Sequence, residues 1–214
     1  MAIFDTLSEF GVVPVIAIDR AEDALPLADA LIAGGLPVAE ITFRTAAAPD
    51  AIAAIATHRP EIHLGAGTVL SEQQVDAAKA AGARFALSPG LDVAVLARAN
   101  AVGLPFAPGI MTPTDLQAAL KAGCGMVKFF PAMAAGGPAM LKNIAAPYLH
   151  TGVGFNPTGG VNLGNLGDWL AISQVRAVGG TWIAKQADIA AGNWTQIADN
   201  AREAVAKVKD LRGA

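Results

Sequence analysis

The chain has 214 residues, enough for one sizeable hydrophobic core and scarcely enough for two. Apolar residues make up 53% and charged residues 15%, which excludes a disordered chain, and a net charge of −3 supplies no basic stripe for a nucleic-acid backbone. A single cysteine, Cys124, excludes intramolecular disulfides and cysteine-cluster metal sites.

The opening stretch, M-A-I-F-D-T-L-S-E-F-G, has acids where a signal peptide carries basic residues, and no apolar run reaches the ~18 residues of a membrane span. A cytoplasmic protein with no membrane partner is therefore expected. A mean hydropathy of +0.44 is high for a soluble monomer and points to surface shared between subunits.

One pattern then repeats: a short β-branched run, a turn, and an Ala/Leu-rich segment with helical spacing. Val12 to Ile18 is the first predicted strand. Asp19 is placed to cap a helix with Ala24, Leu25, Leu27, Ala28 and Leu31 on its apolar side, ended by Gly34-Gly35. Val38 to Phe43 is the second strand, with a helix over Pro49–Thr57. Residues 62–69 precede a helix opened by Ser71, and residues 84–88 a helix from Asp92.

Residues 104–110 lead to a helix starting at Pro113, which suits the first helical position. Met126 to Phe130 is followed by a helix from Pro138, Val153 to Asn156 by one near Asn162, and Val175 to Val178 by a terminal helix reaching Val208. Eight strand-plus-helix units of about 27 residues demand a mainly parallel α/β sheet covered by helices. The expectation is one domain over residues 1–214, closed as a (β/α)8 barrel. An open doubly wound sheet, which usually has fewer strands, is the rival.

Chemistry in such a barrel lies at the C-terminal ends of the strands. There G-M-V-K-F-F-P places Lys128 inside an apolar strand, whereas the other six lysines fall on helices, turns or the tail. A buried ammonium is costly, and a neutral amine in an apolar setting is the nucleophile that forms a Schiff base with a carbonyl. The plainer alternative is a structural ion pair.

Glu40, Thr42 and Arg44 alternate along A-E-I-T-F-R-T and so share one face. Glu40 can shuttle protons beside the amine and Arg44 can hold a carboxylate, or the acid can simply pair with Arg44 or Lys128. Thr68 ends the third strand in G-A-G-T-V. Paired glycines in N-P-T-G-G (156–160) and V-G-G-T (178–181) follow the seventh and eighth strands. Barrels bind phosphate there, although two tight turns needing positive φ would read the same.

His58, His63 and His150 lack ligand spacing, Trp169, Trp182 and Trp194 read as core or interface residues, and no metal site is indicated.

The motifs V-V-P-V-I (12–16), E-I-T-F-R-T (40–45), G-A-G-T-V-L (65–70), S-P-G (88–90), P-G-I (108–110), K-F-F-P-A (128–132), P-T-G-G (157–160) and G-G-T-W (179–182) stand in order. On these the sequence resembles the 2-keto-3-deoxy-6-phosphogluconate / 4-hydroxy-2-oxoglutarate aldolase family nearly end to end. The resemblance implies a class I, metal-free and cofactor-free (β/α)8 aldolase, a homotrimer acting on small keto acids and yielding pyruvate.

By that resemblance Lys128 forms the Schiff base and Glu40 is the general acid/base. Arg44 and Thr68 hold the pyruvyl carboxylate, with Pro89 and Phe130 also at the substrate. Thr158 contacts the aldehyde-derived part, and Gly159, Gly160, Gly179, Gly180 and Thr181 surround the phosphate. Thr181 stands where the family more often has Ser, and Phe43 where it more often has Leu. Rival readings are the aldolase for the galactonate epimer, a phosphosugar isomerase or epimerase working through a carboxylate pair or metal, and a barrel that binds a phosphometabolite without turning it over. Thr158 favours the gluconate substrate over its epimer.

Overall fold

A computed structural model describes residues 3–213. Nine parallel strands form its interior: β1 (Val12–Ile16), β2 (Val38–Thr42), β3 (His63–Gly67), β4 (Phe85–Leu87), β5 (Phe106–Ala107), β6 (Gly109–Ile110), β7 (Met126–Phe129), β8 (Gly154–Pro157) and β9 (Val178–Gly180). Ten α-helices accompany them: α1 (Ile3–Phe10), α2 (Ala24–Ala33), α3 (Ala48–His58), α4 (Glu72–Ala80), α5 (Val93–Ala101), α6 (Pro113–Lys121), α7 (Gly137–Ala145), α8 (Leu166–Leu170), α9 (Gln186–Ala190) and α10 (Trp194–Arg212).

The expected alternation of strand and helix stands. The strands hydrogen-bond as two sheets, one of six in the order β5-β4-β3-β2-β1-β9 and one of three in the order β6-β7-β8. Isolated bridges from Phe155 to Val175 and from Thr158 to Gly179 run between β8 and the segment that becomes β9. The strand expected over 104–110 is two short pieces, because Pro108 between them has no N–H to donate to a ladder.

β1, β2 and β9 also differ from the expected ranges. The first strand ends at Ile16 and the second at Thr42, while the eighth predicted strand begins three residues later, at Val178.

The predicted helix signals have specific partners. Ser71 Oγ accepts from Gln74 N at 3.2 Å and Asp92 Oδ1 from Ala94 N at 2.8 Å, and Thr112 and Asp115 form a reciprocal capping box before Pro113. Asp19 is a correction. It caps nothing: a 3-10 turn over Ala21–Asp23 precedes α2, and the Asp19 carboxylate accepts from Gln186 Nε2 at 2.8 and 2.7 Å. Helix α1 was not expected from the sequence, and the helix placed near Asn162 starts at Leu166, after an Asn162–Asn165 turn.

One buried cluster extends from Leu7 to Val208 through every layer. Trp169 is fully buried within it, its ring 6.4 Å from that of Phe129. His63 opens β3, half-buried, with its ring 5.6 Å from Phe10. Burial, assisted by the nearby Arg84 charge, holds its imidazole below the ordinary 6.5. The unfolded chain therefore takes up a proton that the folded chain refuses, and stability falls as pH drops through 6.5. Urea unfolding at pH 5 and pH 8 should show this slope, and His63→Gln should flatten it; an unchanged slope in the variant would assign the effect elsewhere.

Candidate active site

Among the described residues the buried polar and charged side chains are Asp23, Glu40, Thr42, Ser88, Lys128, Asn156 and Thr158. Six of the seven lie on β2, β7 and β8 or just beyond β4 and β8, at the C-terminal ends of the strands. Lys128 and Glu40 form the centre. Nζ of Lys128 donates to Oε1 of Glu40 at 3.0 Å, with the lysine 4% exposed and the glutamate 0%.

The two residues are 88 positions apart, on β7 of the smaller sheet and β2 of the larger. A buried charge without a partner costs several kcal/mol, so each side chain is what makes the other tolerable in its strand. Oε2 of Glu40 is also buried and has no hydrogen-bond partner in the protein. Among the described residues it is the one buried carboxylate oxygen left without a donor. The Phe130 ring lies 5.9 Å from Nζ, within range of a cation–π contact.

Two glycines make room for the pair. A Cβ on Gly67 of β3 would collide with Oε1 of Glu40. Gly109, in register with Lys128, could not carry one either, because the Pro89 carbonyl occupies that space. Pro89 is held there by the turn in which Ser88 Oγ donates to Gly90 O at 2.6 Å and Gly109 N to the same oxygen at 3.2 Å. The structure thus brings Pro89 beside the lysine strand.

Glu40 and Thr42 share the inner face of β2, and Thr42 Oγ1 donates to Ile16 O at 2.8 Å. Arg44 lies beyond the strand end, exposed, with Nε donating to Thr42 Oγ1 at 3.1 Å. It does not pair with Glu40, and among the described residues no carboxylate engages its guanidinium. It stands at the rim as a free cation, suited to bidentate capture of a carboxylate. Thr68, half-buried just after β3, is the one described non-glycine residue with positive φ, +55°. A β-branched residue in the left-handed region is strained, and such strain is retained where a side chain is needed in that place.

The two glycine pairs behave differently. Gly159 and Gly160 have φ of +102° and +77°, a tight turn that L side chains resist. Gly179 and Gly180 were expected in a turn after the last strand. They are instead buried in β9 with ordinary φ, and are glycine because Thr158 and the Trp182 ring fill their Cβ positions. Thr181 is exposed immediately after them.

Thr158 joins the two regions. Its N donates to Phe129 O at 3.0 Å, its carbonyl accepts from Ala132 N at 2.8 Å, and it bridges to Gly179. Asn156 was not singled out from the sequence, yet it is 1% exposed and in register with Lys128. Its signal was available: a lone amide in G-F-N-P, two residues before Thr158 and therefore on the same face.

Chemically, the arrangement offers a shielded amine, a carboxylate in contact with it, an exposed guanidinium at the rim and a polar wall leading to glycine-lined backbone. The model for the KDPG and KHG aldolase family matches residues 3–200. A 2-dehydro-3-deoxy-phosphogluconate aldolase from Treponema pallidum is 46% identical, covering 92% of this chain and 93% of its own. The KHG/KDPG aldolase of Escherichia coli K12 is 45% identical over 92% of both chains. The crystal structure of KDPG aldolase from Legionella pneumophila, with pyruvate captured as a covalent carbinolamine, superposes with a TM-score of 0.89 at 40% identity, covering 94% of this chain and 97% of that one. With its site geometry and these likenesses along nearly its whole length, the chain belongs to the KDPG and KHG aldolase family.

Proposed function

We propose that this protein is a class I aldolase that cleaves 2-keto-3-deoxy-6-phosphogluconate to pyruvate and glyceraldehyde 3-phosphate, and 4-hydroxy-2-oxoglutarate to pyruvate and glyoxylate. The observation that carries this reading is the buried Lys128–Glu40 contact of 3.0 Å, with the second glutamate oxygen unpartnered. A site that only bound a metabolite would have little use for a shielded amine, and an isomerase working through a carboxylate pair would not place a lysine against its single buried glutamate.

In the forward cleavage Lys128 gives a proton to Glu40 and Nζ attacks C2 of the keto acid. The carbinolamine loses its C2 oxygen as water, leaving a protonated imine. Breakage of the C3–C4 bond sends its electron pair into that imine. Glu40, directly or through one water, takes the C4 hydroxyl proton as the C4 oxygen becomes the aldehyde. The resulting enamine is protonated at C3, and water then hydrolyses the imine to release pyruvate and the free amine.

Arg44 and Thr68 hold the carboxylate at one end. Gly159, Gly160, Gly179, Gly180 and Thr181 lie toward the phosphate at the other, with Pro89 and Phe130 flanking the reacting carbon. Fixing both ends aligns the scissile bond, and alignment can supply several kcal/mol of the barrier.

The same reading includes one domain over residues 1–214, with the two sheets closing as a (β/α)8 barrel. It also includes a homotrimer and a cytoplasmic setting. Among the described residues no helix is long and apolar enough to cross a membrane.

Borohydride reduction in the presence of pyruvate, followed by intact mass and peptide mapping, tests the chemistry. One reduced pyruvyl adduct on Lys128 is expected. An unmodified folded protein would remove the imine mechanism, and an adduct on another lysine would move the site.

A further inference from the structure

Thr158 is held so that its hydroxyl has little choice of partner. Backbone bonds to Phe129 and Ala132 fix its main chain, and Gly179 lies so close to Oγ1 that no other residue fits there. Oγ1 donates its single proton to Oδ1 of Asn156 at 2.9 Å, and both side chains are buried, at 3% and 1% exposure. A threonine hydroxyl has one donor and two lone pairs. Once the donor is given to Asn156, only lone pairs remain for anything else that reaches the oxygen.

The register places this oxygen relative to the reaction centre. Asn156 is opposite Lys128 across the β7–β8 pair. Thr158 is two residues farther along, one side-chain layer nearer the glycine turn at Gly159-Gly160. A keto acid joined to Lys128 and reaching for that turn passes Thr158 with its aldehyde-derived carbons.

We infer that Asn156 is a positioning residue that fixes the hydrogen-bonding polarity of Thr158, so that the site favours glyceraldehyde 3-phosphate, which bears a hydroxyl donor on the carbon next to the carbonyl, over glyoxylate, which bears none there. This inference rests on the aldolase reading, and it adds a specificity device that works through a residue with no reacting atoms of its own.

A double-mutant cycle tests it, measured as kcat/KM for cleavage of 2-keto-3-deoxy-6-phosphogluconate. Asn156→Leu and Thr158→Val should each lower that value about tenfold, the scale of one hydrogen bond to a substrate. The double variant should be no worse than Thr158→Val alone, because Asn156 acts only through Thr158. Factors that multiply to about a hundredfold, or an Asn156→Leu variant within about twofold of the parent, would overturn the inference. If Asn156→Leu does not fold, Asn156→Ala takes its place in the same cycle.

Polarity has its own readout in the addition of pyruvate to aldehydes. The parent should prefer glyceraldehyde 3-phosphate over the analogue with fluorine in place of its 2-hydroxyl. Asn156→Leu, whose Thr158 proton can turn toward the substrate, should narrow that ratio. The intrinsic reactivity of the fluorinated aldehyde cancels between the two proteins, so an unchanged ratio would sink the polarity argument. Borohydride trapping with pyruvate on the parent separates the two levels: no adduct on Lys128 fails the aldolase reading, whereas an adduct with an additive cycle fails only the role of Asn156.

Discussion

Lys128→Met should lose turnover by about 10,000-fold or more, the scale seen when a covalent nucleophile is removed, while still binding keto acid detectably by calorimetry. The same change should be costly to the fold. Glu40 is 0% exposed and its cation is Lys128. Removing one partner of a buried pair typically costs ~3–5 kcal/mol, on the order of 10 °C in melting temperature for a chain of this size. Adding Glu40→Leu should restore most of that stability and none of the activity, since an apolar pair of similar volume replaces a buried ion pair at little net cost. Turnover surviving in Lys128→Met would refute the imine. A melting temperature that does not move would refute the energetic account of the pair.

Gly67→Ala adds a single methyl group and should nearly silence the enzyme. That methyl would occupy the position of Glu40 Oε1 and crowd its Cγ and Cδ. Glu40 is enclosed, so the carboxylate can clear the methyl only by leaving Lys128. General acid–base help is worth roughly 10²–10⁴-fold, and kcat should fall by about 100-fold or more while pyruvate still forms a trappable adduct. Overpacking adds a stability loss of ~1–3 kcal/mol. Gly65→Ala is the control, since its methyl would meet the Phe85 ring and not the carboxylate. It should lose comparable stability without a comparable loss of cleavage per folded molecule. Equal kinetic losses in both variants would mean that Gly67 matters for packing alone.

Much of the fold was legible because it is written in local periodicities. Ser71 and Asp92 cap the helix starts that they precede, and Pro113 takes the first position of its helix. What escaped was tertiary. Asp19 carries the chemistry of a cap, but Gln186, 167 residues away, takes its carboxylate. Strand ends depend on which neighbour supplies hydrogen bonds, and a proline in the 104–110 run decides where one ladder stops and another starts. The site followed the same division. A lysine in G-M-V-K-F-F-P and an acid in A-E-I-T-F-R-T are conspicuous against apolar strands, whereas nothing local says that they meet. Asn156 was overlooked because an amide carries no charge to stand out, and its importance comes from facing Thr158 inside the core.

The division of strands between two sheets has a consequence for how activity is acquired during folding. Glu40 belongs to the six-stranded sheet and Lys128 to the three-stranded one, while β1 pairs with β9 from the far end of the chain. Local hairpin-like closure can build neither contact, and each carries the loop-closure entropy of long sequence separation. A nascent or partly melted chain with either sheet alone therefore lacks the acid–amine couple altogether. On the aldolase reading proposed above, competence to react with a carbonyl metabolite thus requires that the two sheets have met, and trapping of pyruvate on the amine during refolding should lag behind the formation of either sheet alone.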